Sequence, residues 1–357
     1  MFKWLYLIKF FRFVYTLKKN QNLTLAQFAA LAGVSTSTAS RALNDNPLIK
    51  QTTRDKVQAL AKEYDYSVNA AASRLRTQKT NVIAVILNLI DNTEQSVADP
   101  FLLKVVGDLN KALNAKGYEL LLSNSFMATD NWANYFITSK RADGLIIVGQ
   151  GKSTEKITAA ASTGVPLVVW GDPTSDTHYP IVGGNNRLGG YKATTHLIAG
   201  GCQRILFLGD PGHAEMSERH AGYKQAHQDA NINIDPALTM PIDITSKAAY
   251  TCINQFIRDH GLAFDGIVAI SDMVALGALK ALKERYVGIP ADVSIVGYDD
   301  IALAELMHPS LTTIRQNTAL AAEKMVEQLI AQFNHQATHS IVLDIELIER
   351  RSSRTST

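Results

Sequence analysis

Residues 24–44 read TLAQFAALAGVSTSTASRALN, and the fold of the amino-terminal part of the chain depends on them. Thr24 and Gln27, three residues apart, can form a capping box at the start of a helix, and the apolar residues that follow recur at helical spacing. Gly33 is suited to the left-handed conformation that ends a helix. Ser35 can then cap a second helix. The stretch therefore predicts two short helices joined by a tight turn.

The second of these helices carries a polar face that is typical of helices that read DNA. Four polar residues at i, i+3, i+4 and i+7 share one side of it: Ser37, Ser40, Arg41 and Asn44. Arginine reads guanine in the major groove through two parallel hydrogen bonds, and serine hydroxyls reach bases or phosphates. A helix pair with a merely solvated face is the alternative interpretation.

Charge is distributed unevenly along the 357 residues. Residues 1–79 hold 13 lysines and arginines against 4 acidic residues, whereas the remainder holds 22 against 29. A basic piece on an acidic body is typical of a nucleic-acid-binding head attached to a sensor or an enzyme. The two cysteines, Cys202 and Cys252, are too few for a disulfide framework and fit a reducing compartment.

Residues 1–21 are aromatic and basic, and we assign them as a leader of unknown role. Lys9 and Arg12 interrupt their apolar run, which is too short to span a bilayer. They also lack the small-residue cleavage site of a signal peptide. An amphipathic helix that lies on a membrane is the alternative interpretation.

Residues 22–66 are predicted to form a helix-turn-helix head, whose third helix runs over residues 53–64 on the evidence of an apolar stripe. Residues 67–80 are predicted to form a hinge. Within it Leu75 stands next to Arg74 among further cations, which is the pattern of an apolar side chain that wedges into the minor groove. A linker with one stray leucine is the alternative.

From residue 81 to residue 357, short β-rich runs alternate with segments of helical length. The runs are VIAVIL (82–87), YELLL (118–122), GLIIV (144–148), PLVVW (166–170), ILFLG (205–209), GIVAI (266–270) and VSIVG (293–297). This alternation predicts doubly wound parallel sheets, and seven runs fit two such sheets side by side. Ligands of these sheets lie beyond the carboxyl ends of the strands.

Polar side chains that follow the runs are therefore candidates for binding a ligand: Asp172, Arg219, Ser271, Asp272, Asp299 and Asp300. Carboxylates accept and arginine donates the hydrogen bonds that sugar hydroxyls need. Structural roles remain open for three of them. Asp272 can instead cap the helix that follows, and Asp172, before Pro173, can be a turn residue. Arg219 can pair with Glu215 on its own helix.

Motifs of catalysis and metal binding are incomplete. GQGKS at 149–153 ends like a phosphate-binding loop, but Ile146 stands where that motif needs glycine. GGNNRLGG at 183–190 lacks the dinucleotide-binding spacing, and no nucleophile elbow occurs. His335 and His339 lie in a polar stretch that is typical of a loop. The sequence therefore predicts neither an enzyme nor a site for a metal or cofactor.

The sequence resembles the LacI family of transcriptional repressors from about Leu23 to Arg351. Besides the stretch quoted first, the resemblance rests on DYSVNAAASRLRTQKTNVIAV, DPFLLKVVGDLNKALNAKGYELLL, ERHAGYKQA, SDMVALGALKAL, VSIVGYDDI and LTTIRQN. It implies an α/β fold with a small all-α helix-turn-helix head, a hinge helix and a two-lobed, periplasmic-binding-protein-like body. The implied N-lobe covers about 81–180 and 312–340, and the C-lobe covers about 181–311 and 341–351.

The resemblance also implies roles for residues of the head and hinge. Thr36, Ser37 and Arg41 match the base-reading residues of the family, and Leu75 matches its hinge wedge. Together with the polar face and the first turns of the helices, the predicted DNA-binding residues are Thr24, Ser35, Thr36, Ser37, Ser40, Arg41, Asn44, Arg74 and Leu75.

In the body, Arg219 and Asp299 match the family's effector-binding arginine and aspartate, and Ser271 stands where members often carry a polar contact. The predicted effector-binding residues are Phe101, Leu102, Asp172, Arg219, Ser271, Asp272 and Asp299. Ile244 stands where the lac repressor has a pocket tryptophan, so a lactose-type ligand is not implied.

Together these features predict a cytoplasmic homodimer that represses genes of carbohydrate use. It would bind a pseudo-palindromic double-stranded operator, respond to a small sugar or sugar-like metabolite between the lobes, and need no membrane or cofactor. The tail after Arg350 has no leucine heptad, which favours a dimer over a tetramer. A periplasmic-type sugar receptor without DNA binding is the alternative, but it would need an export signal and no head.

Overall fold

A computed structural model describes residues 23–66, 79–89, 95–127 and 131–355. The chain forms two compact units, Met1–Lys79 and Thr80–Thr357. The leader and the hinge residues Arg74 and Leu75 lie outside the described residues. None of the helices in the described part is long and apolar enough to cross a membrane.

The head contains the predicted helix pair, α1 (Leu25–Ala32) and α2 (Thr36–Leu43). The capping box is present, because the backbone N–H of Gln27 donates to Thr24 Oγ1 at 3.3 Å and that of Thr24 donates to Gln27 Oε1 at 2.8 Å. Gly33 ends α1 at a φ of +68°, a conformation in which glycine has no steric penalty. Both features were predicted from the sequence and are confirmed.

A third helix, α3 (Gln51–Glu63), closes the core of the head. It begins two residues before the predicted start, because Lys50 precedes it without a side-chain cap that the sequence could reveal. Phe28 is fully buried and stacks on Tyr66, with ring centroids 4.1 Å apart. The small helices are therefore held together by aromatic stacking and by the packing of alanines and Val57.

The body begins where Thr80 and Asn81 donate their backbone N–H groups to the Asp143 carboxylate. Its first elements are β1 (Val82–Leu87), α4 (Pro100–Asn114), β2 (Glu119–Asn124), a π-helical segment (Ala133–Thr138), β3 (Gly144–Val148), α5 (Glu155–Ser162), β4 (Leu167–Trp170), β5 (Ile181–Gly184) and α6 (Asn186–Ala199). The strands β1, β3 and β4 are buried and carry no polar side chain, as expected when helices cover both faces of a parallel sheet.

The remaining elements are β6 (Ile205–Leu208), α7 (Ala214–Asp229), a 3-10 helix (Pro236–Leu238), β7 (Thr239–Met240), α8 (Ser246–His260), β8 (Gly266–Ala269), α9 (Asp272–Glu284), β9 (Ser294–Asp299), α10 (Ala302–Leu306), β10 (Thr312–Gln316), α11 (Thr318–Phe333), β11 (Ile341–Leu343) and β12 (Ile345–Ile348). The strands form two six-stranded sheets, ordered β11-β5-β4-β3-β1-β2 and β12-β10-β9-β8-β6-β7. Pairing is parallel throughout except between β10 and β12. The prediction of two doubly wound parallel sheets is confirmed.

We call the first sheet with α4, α5 and α11 the N-lobe, and the second sheet with α6 to α10 the C-lobe. Within the described residues the chain passes between them three times, and each passage takes one residue: Asn185, Asn317 and Asp344. Asn185 and Asn317 each cap the helix that follows, through their side-chain oxygens. The lobes are therefore linked by three short connections, which permits one lobe to rotate against the other.

These passages correct the predicted lobe boundaries. Residues 181–184 and 341–343 pair in the N-lobe sheet, whereas residues 312–316 pair in the C-lobe sheet. The tail also belongs to the C-lobe beyond residue 351, since Ser352 bonds to Thr312 and Ile295. Short strands next to one-residue crossings carry no local signal of which sheet they join, and the partner of β11 also lies far away in the sequence.

Candidate functional site

A cleft of about 100 Å³ lies between the two lobes. It is lined by residues beyond the carboxyl ends of strands from both sheets, as the rule for open α/β sheets predicts. Five of the predicted effector residues line it: Phe101, Leu102, Arg219, Ser271 and Asp299. The volume is below the several hundred cubic ångströms of a drug-sized pocket, so in this conformation the cleft suits a compact ligand.

Arg219 projects from α7 at the centre of the C-lobe wall and is almost fully buried. Its Nε–H donates to Asn186 Oδ1 at 3.0 Å, and Nη1 donates to the Ile270 carbonyl. Its guanidinium carbon lies 3.5 Å from the ring centroid of Tyr298. A guanidinium has five N–H donors in one plane. Because two of them are held by these hydrogen bonds, the directions of the remaining donors are fixed as well.

Asp299 ends β9 and accepts a hydrogen bond from Gln316 Nε2 at 2.8 Å. Its φ of +110° is unusual for a residue other than glycine and indicates backbone strain that the surrounding structure maintains. Burial raises the pKa of its carboxyl well above the usual range, and the Arg219 guanidinium opposes that rise. A buried carboxyl of this kind gains from any further hydrogen-bond partner, such as a ligand hydroxyl.

Glu215 and His213 also line the C-lobe side, although the sequence did not single them out as ligand contacts. Burial raises the pKa of the Glu215 carboxyl and lowers the pKa of the His213 imidazole. The lowered pKa favours the neutral imidazole, which has one nitrogen as donor and one as acceptor. Both residues stand near the start of α7, where the loop after β6 turns into the helix.

The N-lobe wall is largely aromatic and apolar. Phe101 and Trp170 meet edge to face with ring centroids 5.9 Å apart, and Leu102 lies beside them. Asp99 caps α4 by accepting from the N–H groups of Phe101 and Leu102, and burial raises the pKa of its carboxyl. This wall offers ring faces and edges together with one carboxyl and the amide of Asn88.

Two contacts of the loop at 149–153 cross the cleft from the N-lobe to the C-lobe. The backbone N–H of Gln150 donates to Glu215 Oε1 at 3.1 Å, and Lys152 Nζ lies 2.7 Å from Asp210 Oδ2. Gly149 and Gly151 of this loop line the cleft. The loop therefore touches both the ligand space and the opposite lobe.

Two of the predicted effector residues do not line the cleft. Asp172 forms a turn, in which its carboxylate accepts from the backbone N–H and hydroxyl of Thr174. Asp272 is fully buried behind Ser271, and its carboxylate accepts from the Ile301 N–H and the Thr313 hydroxyl. Ser271, rather than Asp272, caps α9. Asp300 is also outside the cleft, where it pairs with two arginines.

Several lining residues were missed: Asn88, Gln95, Asp99, Gly149, Gly151, His213, Glu215 and Met216. Asn88 and Gly149 directly follow β1 and β3, so the rule that located Arg219 and Asp299 would have located them too. Asp99 and Glu215 lie in helical first turns, where an acidic residue is normally explained by capping or by the helix dipole. Within the described residues, no group of three or more histidine, cysteine, aspartate and glutamate side chains could hold a metal ion.

The candidate DNA-reading face of the head is partly as predicted. Thr36, Ser37 and Arg41 are exposed on α2, and Ser35 caps this helix through a bond from the Thr38 N–H. Ser40 differs, since it is only 2% exposed and therefore faces the core. The buried alanines Ala39 and Ala42 bring α2 close to its neighbours, which the i, i+3, i+4 pattern alone does not reveal.

Three more polar residues of the head form hydrogen bonds within the protein. The Asn44 side chain donates to the Ser40 carbonyl at 2.8 Å and so satisfies the end of α2. Arg54 at the start of α3 binds the carbonyls of Asn46 and Ile49, which fixes the loop between α2 and α3. Thr24 caps α1, and its hydroxyl stays exposed at the surface.

Comparisons with known proteins agree with this architecture. Residues 24–69 match the model of bacterial regulatory proteins of the lacI family, and residues 194–353 match that of a periplasmic binding protein-like domain. The HTH-type transcriptional regulator RegA of Clostridium saccharobutylicum is 32% identical over 337 residues, which cover 92% of this chain and 99% of RegA. The chain belongs to the lacI family.

Solved structures of lacI-family regulators share the fold. The complex of the transcriptional regulator CelR with cellobiose is 27% identical, with a TM-score of 0.68 over 93% of this chain and 100% of CelR. The lac repressor dimer bound to operator and the anti-inducer ONPF is 25% identical, with a TM-score of 0.81 over 94% of this chain and 100% of that chain. As a lacI-family member, the chain is a transcriptional regulator with a DNA-binding head and an effector-binding body.

Proposed function

We propose that this regulator binds a pseudo-palindromic operator as a homodimer and represses genes of carbohydrate use until a small sugar or sugar-like metabolite binds between its lobes. The observation that carries the proposal is the cleft that combines Arg219, Asp299 and Ser271 on one wall with Phe101 and Trp170 on the other. Acids, a guanidinium and aromatic rings are the groups that hold hydroxyls and the apolar face of a sugar ring. CelR with cellobiose is a related complex of this kind.

In this proposal the effector residues are those that line the cleft, and the two buried aspartates have other tasks. Asp172 stabilises a turn and Asp272 ties the start of α9 to β10. Glu215, His213 and Asp99 join the effector contacts, because these polar residues line the same cleft.

Base reading is assigned to the exposed residues of α2, namely Thr36, Ser37 and Arg41. The capping and packing residues Thr24, Ser35, Ser40 and Asn44 then orient that helix, and their contribution to specificity is indirect. The hinge residues Arg74 and Leu75 are proposed to hold the minor groove open at the centre of the operator.

Coupling between the two functions is assigned to rotation of the lobes about the three one-residue passages. The ligand shifts the equilibrium between open and closed lobes by its differential affinity for the two states. In a dimer, this rotation changes the spacing of the two heads and so decides whether both half-sites are held.

Association into a dimer is supported by an apolar surface of the N-lobe. The edge strand β2, the turn after it and the neighbouring helix α4 expose Leu103, Leu122, Phe126 and Met127. Several exposed apolar residues on neighbouring elements are typical of a surface that binds a partner. Operator binding in turn places the protein in the cytoplasm, with the chromosome.

A gel shift against palindromes upstream of neighbouring genes, with and without a panel of sugars, tests the proposal. Arg41→Ala should lower discrimination between operator and mutated operator by about 1–3 kcal/mol, since arginine reads one base pair directly. Lys62→Ala, which removes an exposed charge from α3, is the matched control. Equal weakening on every DNA sequence would make Arg41 a phosphate contact only. A shift that no sugar alters would contradict the sugar effector.

The alternative, a sugar receptor without DNA binding, makes the opposite prediction. It requires that the isolated full-length chain binds sugar and shows no preference among DNA sequences. The fully packed helix-turn-helix with its capping box disfavours it, because a receptor has no use for such a head.

A further inference from the structure

The loop at 149–153 (GQGKS) has a second feature besides its position in the cleft wall: it is anchored firmly on the N-lobe. The Gln150 side chain accepts from the Asp172 N–H at 2.6 Å and donates to Ser175 Oγ at 3.2 Å. Asn88 Nδ2 donates to the Gly149 carbonyl at 3.2 Å. The loop therefore moves with the N-lobe as one body.

Two glycines give this loop its path. Gly149 has a φ of +93° and Gly151 a φ of +68°, both in the region that favours glycine. A Cβ on Gly151 would lie 2.9 Å from Asn88 Nδ2. Only with this backbone does the loop stay flat against Asn88 while Gln150 N–H and Lys152 face the opposite lobe.

On the C-lobe, the two acceptors of the loop belong to the segment that also holds effector contacts. Asp210 lies in the turn after β6, and Gly212 N–H donates to its Oδ1, which orients the carboxylate. The hydrogen bond from Lys152 is the largest cause of the lowered pKa of Asp210, and the same bond raises the pKa of Lys152. Glu215 lines the cleft directly.

We propose that the loop at 149–153 is a latch that holds the lobes closed, so that Lys152 and Asp210 set effector affinity without touching the ligand. Separation of the lobes must break both the Lys152–Asp210 ion pair and the Gln150–Glu215 hydrogen bond, because each joins opposite lobes. A bound effector contacts both walls of the cleft, and the latch joins the two lobes beside it. Both interactions therefore stabilise the same closed state. This inference rests on the proposed function, of which it describes the regulation.

The latch predicts a salt-dependent effector affinity. Lys152 and Asp210 are partly exposed, with 54% and 25% of their side-chain surfaces accessible. An ion pair in this setting is screened by salt and changes an equilibrium by about 2- to 5-fold. The tested protein is the full-length chain, with fluorophores on exposed positions of the two lobes to report their distance by energy transfer.

Lys152→Met is expected to shift the distance between the lobes toward the open state at low salt and to weaken binding of the sugar found in the panel by about 2- to 5-fold. The exchanged pair, Lys152→Asp with Asp210→Lys, should restore both. Arg204→Met is the matched control, because the Arg204–Asp235 ion pair lies within the C-lobe and is similarly exposed. It should change neither quantity.

An unchanged lobe distance in Lys152→Met, or an equal change in Arg204→Met, would overturn the latch. A failure of the proposed function is distinguishable, because the lobe distance is measured without any ligand. If no sugar binds and yet Lys152→Met opens the lobes, the latch stands and the proposed sugar effector fails.

Discussion

The two walls of the cleft come from lobes of the same architecture, yet their chemistry differs. The N-lobe contributes mainly rings and aliphatic groups, with Phe101 and Trp170 at its centre, whereas the C-lobe contributes Arg219, Asp299 and Glu215. Directional bonds thus come chiefly from one lobe and contact area from the other. We call the C-lobe side with Arg219, Asp299 and Glu215 the charged wall. A ligand can bind the charged wall first, but it gains the full contact area only when the lobes close.

The difference has a physical origin in the ends of the strands. On the C-lobe, Asp299 at the end of β9 and Asp300 directly after it both have positive φ. Asp299 lines the cleft, and Asp300 pairs with Arg315 and Arg350. The ion pairs of Asp300 hold the strained turn in place and thereby aim Asp299 at the ligand space. On the N-lobe, a capped helix presents Phe101 without comparable strain.

Arg219→Ala should have the largest effect. It removes the buried donor of the charged wall and leaves Asp299 without its nearby cation, a change that typically costs about 2–5 kcal/mol. Effector binding measured by calorimetry should therefore disappear from the accessible range, while operator binding in a gel shift is retained. Arg204→Ala on the same lobe serves as control. Wild-type affinity in Arg219→Ala would show that the C-lobe wall does not supply the directional bonds.

Asp272→Asn tests where the charged wall ends, because Asp272 lies directly behind Ser271 but outside the cleft. Burial raises the pKa of Asp272 from 3.8 to about 7, so the folded state holds its proton more tightly than the unfolded state. Its contribution to stability is therefore complete below pH 4 and is lost as the pH rises to about 7, a difference of about 4 kcal/mol at most.

Asparagine can keep both hydrogen bonds of Asp272, with its oxygen accepting from Ile301 N–H and its amide donating to Thr313. The free energy of unfolding of the variant should no longer fall between about pH 4 and pH 7. At pH 8 it should exceed that of the wild type by about 2 kcal/mol, seen as a higher melting temperature. Effector affinity should stay within about twofold. A loss of affinity comparable to that of Arg219→Ala would extend the charged wall to Asp272.

The sequence predicts those features of the fold and the site that depend on residues close to each other in the chain. The capping box of Thr24 and Gln27 and the αL position of Gly33 are local, and the structure has both. Arg219 and Asp299 were found because the carboxyl-end rule needs only the strand limits. The lobe of β11 was assigned wrongly because its partner β5 lies about 160 residues away in the sequence. β5 and β10 pair with the nearby strands β4 and β9, and they were assigned wrongly because nothing local marks the one-residue crossings that follow them.

The burial of Ser40 and Asp272 was missed for a related reason. The sequence around Ser40 predicts a surface position, and the sequence around Asp272 predicts a helix cap. Their polar groups are buried through contacts made by distant segments, as the bond from Thr313 to Asp272 shows. Periodicity within one helix carries no information about such contacts.

Phe101→Leu should cause the smallest free-energy change of the three variants, and it tests the aromatic wall. Phe101 packs against the cores of both lobes and meets Trp170 edge to face, so leucine preserves burial but removes the ring pair. An aromatic contact contributes about 0.5–1.5 kcal/mol beyond its buried area. Loss of the ring pair therefore lowers stability by that amount, and loss of a comparable contact between the Phe101 ring and the ligand lowers effector affinity a few-fold to about tenfold.

Phe333→Leu is the matched control for Phe101→Leu, because Phe333 forms a ring pair with Tyr118 in the same lobe, with centroids 5.8 Å apart, and does not line the cleft. Both variants should lower the melting temperature by similar amounts, but only Phe101→Leu should lower the affinity for the effector. If the two variants bind the effector equally well, the N-lobe wall acts only as packing, and the charged wall alone accounts for recognition. A loss as large as that of Arg219→Ala would instead mean that the rings, rather than the charges, dominate binding, because ligand contact area would then outweigh the directional bonds.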